Sequence, residues 1–506
     1  MPKPARAHLT DAQLNDRGRL PLRAVLRNPR IVGTEALAGA VTTLALVPEV
    51  ISFSIIAGVD PINSLVASAV LAITMSFLGG RPAMVTAAAG SVALVVAPLV
   101  HSEGVEYLLP TVILAGIIQV VFGLTGLARV MRYIPRSVMI GFVNALGILI
   151  FAAQVSHLIN VPWQAYPLFV LTLLIVWLFP RITRAVPAPL VAIVAVTALA
   201  VALGLSIPTV GDEGNITGGL PGFTPLGVPL NLATLTLIAP TALGVAFVGL
   251  IETLLTAKLV DDITDSRSSK KRESWGLGVA NIFSGLYGGV AGCAMIGQTV
   301  VNVKIGRART RLSTLFAGVF LLLFVAVLSN VMAVIPMVSL AAVMMVVAVR
   351  TVDWHSVRPS VVKRMPRSET VVMVVTVATV VITHNLAIGV GVGAVLAALL
   401  LLQRASRAFG VTRIVASDEA SAEYLVRGAL FFASSNELAD HFHFTVDPPR
   451  VVIDFSESRI WDASSVAALD AIEEKYRAEG VTVEVRGLDE RSARLHASMS
   501  GHLNGG

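Results

Sequence analysis

The segments GGRPAMVTAAAGSVALVV (residues 79–96) and GGVAGCAMIGQTVVNV (residues 288–303) hold the most informative pattern in this 506-residue chain. Each begins with a glycine pair and continues into a run of small and apolar residues that is too short to cross a bilayer as a helix. Breaker residues ahead of such runs predict half-helices that begin inside the protein. The two segments occupy corresponding places in two halves of the chain, which indicates a membrane protein built from related halves.

The rest of the chain is too apolar for an ordinary soluble protein. Its mean hydropathy is +0.79, and it is 55% hydrophobic and 14% charged, whereas soluble domains are about 25% charged. The apolar residues fall in fourteen segments, most of them near the roughly 20 residues that a membrane-spanning helix needs. We place these segments at 34–56, 62–78, 87–100, 108–128, 137–155, 165–180, 187–205, 235–257, 275–288, 294–303, 312–329, 334–349, 369–383 and 386–403. The sequence therefore predicts a polytopic α-helical membrane protein with fourteen transmembrane segments.

The basic residues predict how these segments are oriented. If the N-terminus is cytosolic, all twenty Lys and Arg between residues 31 and 403 fall at cytosolic turns, as the positive-inside rule expects. The loop 206–231 contains no Lys or Arg and is then external. Seven segments per half give the two halves opposite orientations, which is the inverted repeat common in secondary transporters. We expect a multi-pass protein of the cell inner (plasma) membrane with both termini in the cytosol.

The composition changes sharply after Arg404. Residues 411–506 hold 16 acidic residues and 9 basic ones, a net charge of −7, whereas residues 1–410 sum to +13. The strand-like stretches EYLVRGALFFA, VVIDF and VTVEVRG alternate with helical stretches near 434–442, 464–479 and 488–499, which predicts a partly parallel α/β domain. We predict a cytosolic arm over 1–30, a transmembrane transport domain over 31–405 and a cytosolic α/β domain over 411–506.

Two acidic residues, Glu49 and Glu252, lie well inside predicted spans. A carboxylate at a helix centre costs about 2.5 to 3.5 kcal/mol on insertion scales, so such residues usually face a wet cavity or bind protons. They occupy similar places in the first and eighth segments, and each precedes a half-helix residue by 41 positions, Gly90 and Cys293 respectively. This spacing suggests equivalent positions in two homologous halves. Glu35 is nearer a membrane interface, where we expect it to be solvated.

Four stretches resemble the SulP, or solute carrier 26, anion transporters. They are LVPEVISFSIIAGVDP (46–61), GGRPAMVTAAAGSVALV (79–95), CAMIGQTVVNVKIGRART (293–310) and, in the tail, VVIDFSESRIWDASSVAALDAI (451–472). The resemblance covers nearly the whole chain. It implies a seven-plus-seven inverted repeat divided into a core and a gate domain, elevator-like movement, a homodimer and a cytosolic C-terminal STAS domain.

The resemblance also implies a substrate site between the facing ends of the third and tenth helices. Carried over position by position, it assigns the polar position of the first helix to Glu49 and the following aromatic to Phe53, and the acid of the eighth helix to Glu252. The start of the third helix falls on Pro82–Ala87. The expected substrate-binding residues are Glu49, Phe53, Thr86, Ala87, Gly90, Met295, Ile296, Gly297 and Gln298.

The chain departs from the family at Gln298, where many members carry arginine. Without that cation the site has a negative net charge, because Glu49 and Glu252 have no basic partner within the predicted spans. An anion then binds well only if one carboxyl is protonated, so we predict proton symport with Glu252 or Glu49 as the proton carrier. The expected substrate is a small dicarboxylate such as fumarate. A bicarbonate or sulfate carrier, possibly sodium-coupled, stays an alternative.

In the tail, Asp454, Ser456, Asp462, Ser464 and Ser465 lie where STAS relatives carry a nucleotide-binding or phosphorylation signature. The pattern here is D-A-S-S, without the glycine that completes the signature in relatives. Loop and helix-capping roles are therefore favoured over a regulatory switch at Asp462 and Ser464.

Other functional classes have little support in the sequence. The single cysteine, Cys293, excludes a disulfide framework and a multi-cysteine metal site. The sequence contains neither a phosphate-binding Gly-Lys-Ser/Thr loop nor a G-x-S-x-G nucleophile motif. We expect no enzymatic activity, cofactor, metal or nucleic-acid partner; the expected partners are a small anion, protons, the bilayer and a second copy of the chain. A nucleobase permease, a channel and a membrane-anchored signalling scaffold are the competing interpretations.

Overall fold

The structure is a computed structural model that describes residues 27–126, 134–183, 186–213, 222–229, 231–416 and 420–502. Most of the arm 1–30, the predicted cytosolic Arg129, Arg132 and Arg184, and part of the loop 206–231 lie outside these residues. The chain divides into two compact units, Met1–Ala394 and Val395–Gly506.

Each of the fourteen predicted apolar segments coincides with a helix. The helices are α1 (Pro29–Ile56), α2 (Pro61–Leu78), α3 (Gly90–Glu103), α4 (Leu108–Thr125), α5 (Arg136–Val155), α6 (Ala165–Ile182), α7 (Ala188–Ala202), α8 (Leu232–Thr264), α9 (Lys270–Gly285), α10 (Ile296–Val300, continued by a π-helical turn over Val301–Ile305), α11 (Leu312–Ala333), α12 (Met337–Thr351), α13 (Arg367–Thr383) and α14 (Leu386–Arg407). Seven helices of the described residues are long and apolar enough to cross a membrane by themselves. The count of fourteen spans stays a prediction.

Contacts sort the helices of the first unit into two groups. Helix α4 packs along α9, α11 packs against α1 and α2, and α8 contacts α3 and α4. Helix α5 packs instead against α12 and α13, and α6 packs against α7 and α12. Helix α14 joins the second group because Gly389 and Gly393 lie against Thr376 of α13. The groups α1–α4 with α8–α11 and α5–α7 with α12–α14 correspond to the core and gate domains that the resemblance implies.

Glycine brings α4 and α9 into backbone contact at the centre of the first group. A Cβ atom on Gly278 would lie 2.4 Å from the carbonyl oxygen of Gly116, and one on Gly116 would lie 2.6 Å from that of Gly278. Only hydrogen at both Cα atoms allows this approach, as at the small-residue contacts typical of membrane helices. The position of α9 relative to α4 is thus fixed by main-chain atoms.

The structure corrects the expectation for Glu35. Its side chain is 2% exposed, and its carboxyl accepts hydrogen bonds from the backbone amides of Arg309 (2.8 Å), Thr310 (3.1 Å) and Ser313 (3.2 Å). Ser313 lies in the first turn of α11, where amides lack intrahelical partners, and Arg309 and Thr310 lie just before that helix. Glu35 is therefore a buried cap that ties α1 to α11.

The second unit contains the predicted α/β fold. Its mixed sheet has the order β3 (Gly410–Val415), β4 (Ser421–Leu430), β5 (Arg450–Ile460) and β6 (Thr482–Arg486). Strands β4, β5 and β6 are parallel, as predicted, whereas β3 pairs antiparallel with β4. The sequence did not predict β3, since an edge strand that is half exposed lacks a strong apolar pattern. Three helices complete the unit: α15 (Phe432–Leu438), α16 (Ala463–Ala478) and α17 (Glu490–Met499).

A carboxyl holds the core of this unit together. The Asp447 side chain has no exposed surface and accepts hydrogen bonds from the hydroxyls of Tyr424 (2.6 Å) and Tyr476 and from Nε of Arg413 (2.8 Å). Burial opposes ionisation of Asp447, but these hydrogen bonds outweigh it and lower its pKa. The ionised carboxyl therefore stabilises the fold above its unfolded pKa of about 3.9, and the contribution is lost as the pH falls through the lower folded pKa.

We predict that D447N destabilises the second unit by about 3 kcal/mol at neutral pH, because the variant leaves the buried hydroxyls and Arg413 without an anionic acceptor. Urea unfolding of residues 408–506, expressed alone, at pH 7 and at pH 3, below the unfolded pKa, measures this loss. The difference in the free energy of unfolding between wild type and D447N should become smaller at the lower pH. The matched control is D440N, at an exposed aspartate, and equal midpoints for D447N and D440N would contradict the assignment.

Candidate functional site

The two half-helices start from a short antiparallel strand pair that the sequence did not predict. Strand β1 (Thr86–Ala88) pairs with β2 (Gly292–Ala294), with Ala87 opposite Cys293. Helix α3 begins at Gly90 and helix α10 at Ile296, two residues after each strand. Because the strands are antiparallel, the helices leave the pair from opposite ends. Three-residue strands of small residues carry too little periodicity to be found from sequence.

This pair also revises the proposed equivalence of Gly90 and Cys293. Gly90 is the first residue of its helix, whereas Cys293 lies within strand β2, opposite Ala87. The counterpart of Gly90 in the second half is therefore Ile296, and the equal spacings of 41 residues from Glu49 and Glu252 do not mark equivalent positions. The two halves are nevertheless alike in building a strand followed by a half-helix.

The first carboxyl of the site, Glu49, lies on α1 beside the start of α10. It is half-buried, and its carboxyl is in hydrogen-bonding contact with the side chain of Gln298. One helical turn further along α1, Phe53 is 3% exposed and its ring covers Gly90, where a Cβ atom would lie 2.5 Å from Cε1. Helix α1 thus contacts the starts of both half-helices.

The start of α10 is open. Ile296 is 36% exposed, and a Cβ atom on Gly297 would have no atom within 4 Å. Met295, Gln298, Thr86, Ala87 and Gly90 are buried. The first amides of a helix have no intrahelical acceptor and carry the positive end of the helix dipole. The open backbone at Ile296 and Gly297 can therefore be approached by a negatively charged group.

The second carboxyl, Glu252 of α8, is 9% exposed and joins the two halves. Its Oε2 atom accepts a hydrogen bond from the hydroxyl of Ser91, in the first turn of α3, and another at 2.9 Å from the thiol of Cys293, in β2. The contacts of Glu49 and those of Glu252 are with different residues. The structure therefore places one carboxyl at the start of each half-helix.

Buried polar side chains fix the strand pair. Asn281 of α9 donates to the carbonyl of Gly292 (3.1 Å), accepts from its amide (2.8 Å) and donates to Gln119 of α4 (2.8 Å). On the other side, Thr253 of α8 accepts from the amide of Ala294, and Ser68 of α2 accepts from that of Ala88, both at 3.0 Å. The strand backbone is thus held in place by helices of both halves.

Sequence reasoning missed Ser91, Asn281 and Gln119 as contributors to this region. Ser91 lies in the quoted segment, but a serine among small residues gives no signal of its own. Asn281 and Gln119 are polar residues inside apolar segments, which is a usable signal because a buried amide needs hydrogen-bond partners.

The tail residues Asp462 and Ser464 occupy a helix start. Asp462 caps α16 by accepting from the amide of Ser465 (3.0 Å), and it also accepts from the amide of Phe432 (2.6 Å). Ser464 is exposed in the first turn. The capping role accounts for Asp462, and a regulatory role for the two residues stays a prediction.

Comparison with known proteins finds two families that match parts of this chain. Residues 34–166 and 160–376 match the sulfate permease family, and residues 417–504 match the STAS domain. YbaR of Bacillus subtilis (strain 168), whose name proposes sulfate transport, is 48% identical over 466 residues, which cover 92% of this chain and 96% of YbaR. The bicarbonate transporter BicA of Picosynechococcus is 27% identical over 419 residues, 74% of this chain and 71% of BicA.

Solved structures of two transporters share the fold. The murine solute carrier Slc26a9, an anion transporter in the inward-facing state, superposes with a TM-score of 0.82 over 98% of this chain and 92% of its own, at 16% identity. The transmembrane domain of a cyanobacterial BicA gives a TM-score of 0.61 over 73% of this chain and 98% of its own, at 23% identity. These structural similarities show a shared fold and nothing beyond it.

Proposed function

Because this chain belongs to the sulfate permease family of anion transporters and carries a STAS domain, we propose that it is a proton-coupled symporter of small anions. The family is one of transporters and not of enzymes. The substrate lies at the open start of α10, between Gly297 and Gln298 on one side and Gly90 and Phe53 on the other. Helix dipoles and unpaired amides supply the attraction for negative charge.

The observation that carries this proposal is the placement of one carboxyl at each half-helix start. Among the described residues, neither Glu49 nor Glu252 forms an ion pair, and the contacts of both are with neutral side chains. A second negative charge is repelled from such a site at low dielectric. Binding of the anion together with a proton on one carboxyl reduces that repulsion, and this joint binding is the coupling step.

For the substrate we propose a dicarboxylate such as fumarate, which presents a charge at each end of a short rigid body. Sulfate and bicarbonate form the alternative, and the names of YbaR and BicA favour them. The protein acts as a multi-pass protein of the inner membrane with cytosolic termini, as a homodimer whose core domain moves in an elevator-like way. Asp462 and Ser464 are candidates for regulation through the STAS domain.

Uptake into proteoliposomes tests the proposal. Labelled fumarate, sulfate and bicarbonate are supplied with and without an inward proton gradient, and with sodium present or absent. We expect an inward gradient of one pH unit to raise the accumulation of the transported anion about tenfold for each coupled proton. Accumulation that follows sodium instead would contradict proton coupling. No flux of any anion would favour a signalling scaffold, and current driven only by voltage would favour a channel.

A further inference from the structure

The carboxyl of Glu252, the candidate proton carrier, is held by two groups that lie on opposite halves of the repeat. Ser91 belongs to the first turn of α3 in the first half, and Cys293 belongs to β2 in the second. Both are buried, at 1% and 0% exposure. Their hydroxyl and thiol converge on the same atom, Oε2 of Glu252. Glu252 is thus a side chain of α8 that receives hydrogen bonds from both half-helix segments.

Two donors on one oxygen fit an ionised carboxyl. An ionised carboxyl only accepts hydrogen bonds, whereas a protonated oxygen becomes a donor and has less capacity to accept. A proton on Oε2 makes one of the two hydrogen bonds reverse or break, and a proton on Oε1 leaves Oε2 a neutral carbonyl oxygen, which accepts both hydrogen bonds more weakly than the anion does. Protonation of Glu252 therefore loosens the connection between α3 and β2, and loss of the proton restores it.

No charged group competes for this role among the described residues of the elements packed on α8. Helix α4 and residues 296–300 contain no titratable side chain, and β2 contributes Cys293 itself. His101 and Glu103 lie near the far end of α3, about 15 Å along the helix from Ser91. Lys270, Lys271, Arg272 and Glu273 lie in the first turn of α9, remote from Asn281. On α8 itself, Lys258, Asp261 and Asp262 lie more than one helical turn from Glu252. Glu49 belongs to α1 and contacts Gln298 instead.

We propose that Ser91 and Cys293 are positioning residues that set the pH at which Glu252 takes up its proton. This inference rests on the proposed proton coupling and deepens it. Each donor stabilises the ionised carboxyl, so its removal favours the protonated form. A hydrogen bond to a charged group is worth about one pH unit in a titration midpoint.

The test uses the full chain with S91A, C293A and C293S, each checked for folding by size-exclusion chromatography. Two midpoints are measured: that of the pH profile of uptake, and that of the infrared band of the protonated Glu252 carboxyl, identified by its absence in E252Q. S91A and C293A should each move both midpoints to higher pH by about one unit. C293S should restore the wild-type value, because a serine hydroxyl also donates.

Unchanged infrared midpoints in S91A and C293A would overturn the inference. If one alanine variant does not fold, the comparison of the other with wild type and with C293S still decides. The infrared titration does not depend on transport. Uptake without pH dependence alongside a shifted infrared midpoint would therefore reject proton coupling while leaving the positioning role intact.

Discussion

Replacing Glu252 with Gln should abolish proton-driven accumulation of the substrate while leaving exchange of substrate across the membrane intact. Glutamine has nearly the shape of the protonated carboxyl and can still accept from Ser91 and Cys293. It cannot release a proton, however, so the site stays neutral through the whole transport cycle. The substrate can then cross in both directions, but a pH gradient no longer does work on it.

The expected loss is large because each coupled proton contributes about 1.36 kcal/mol, or a factor of about ten, for each pH unit of the gradient. With an inward gradient of two pH units, accumulation by E252Q should fall about a hundredfold per coupled proton. Uptake and counterflow of the labelled anion in the same proteoliposomes measure the two activities separately.

The control for this variant is E103Q, at an exposed acid at the end of α3. It removes the same charge at the far end of α3 from Ser91 and should behave as wild type. Wild-type accumulation by E252Q with an unchanged pH dependence would reject Glu252 as the proton carrier. Loss of the pH dependence in E49Q instead would move that role to Glu49.

Replacing Gly278 with Leu should prevent the core group of helices from assembling. A Cβ atom there would lie 2.4 Å from the Gly116 carbonyl oxygen and 2.6 Å from the Val120 amide nitrogen. Overpacking usually costs about 1 to 3 kcal/mol when side chains can adjust. Here the contacts are main-chain atoms of α4, so the two helices must separate. We expect at least a tenfold lower yield of monodisperse protein in fluorescence-detected size-exclusion chromatography.

The matched control is G391L, on α14, where a Cβ atom would have no neighbour within 4 Å. Both substitutions raise helix propensity by about 1 kcal/mol relative to glycine, so propensity cannot explain a difference between them. G278A should be intermediate. A G278L protein with the elution profile and Tm of G391L would show that the contact of α4 with α9 does not limit folding. Because α9 carries Asn281, any G278L protein that does fold should also transport poorly.

The order of the helices could be predicted from sequence because lipid imposes a simple rule. Every backbone group in the hydrocarbon must be paired within its own segment, so apolar stretches of sufficient length become helices. The fourteen segments, the α/β tail and the half-helix character of 79–96 and 288–303 followed from this rule and from residue pattern. The residues Glu49, Phe53, Gly90, Gln298 and Glu252 came from position and from a family resemblance.

The tertiary structure decided which of these residues touch. Sequence spacing suggested that Gly90 and Cys293 are equivalent, but the register of β1 with β2 pairs Cys293 with Ala87. Glu35 looked solvated because it is near a helix end, yet it is a buried cap on α11. Ser91 gave no signal in the sequence and donates to Glu252. These contacts join residues more than 150 positions apart, so no local pattern can encode them.

The sequence by itself determined the membrane character, the repeat and the placement of Glu49 and Glu252 inside apolar segments, because hydrophobic length and the cost of charge in lipid are properties of single segments. Only the packed chain decided that Glu49 meets Gln298 while Glu252 meets Ser91 and Cys293. The physical reason is that a hydrogen bond depends on ångström-scale placement, which is set by how backbones approach at residues such as Gly116 and Gly278 and not by the composition of either helix.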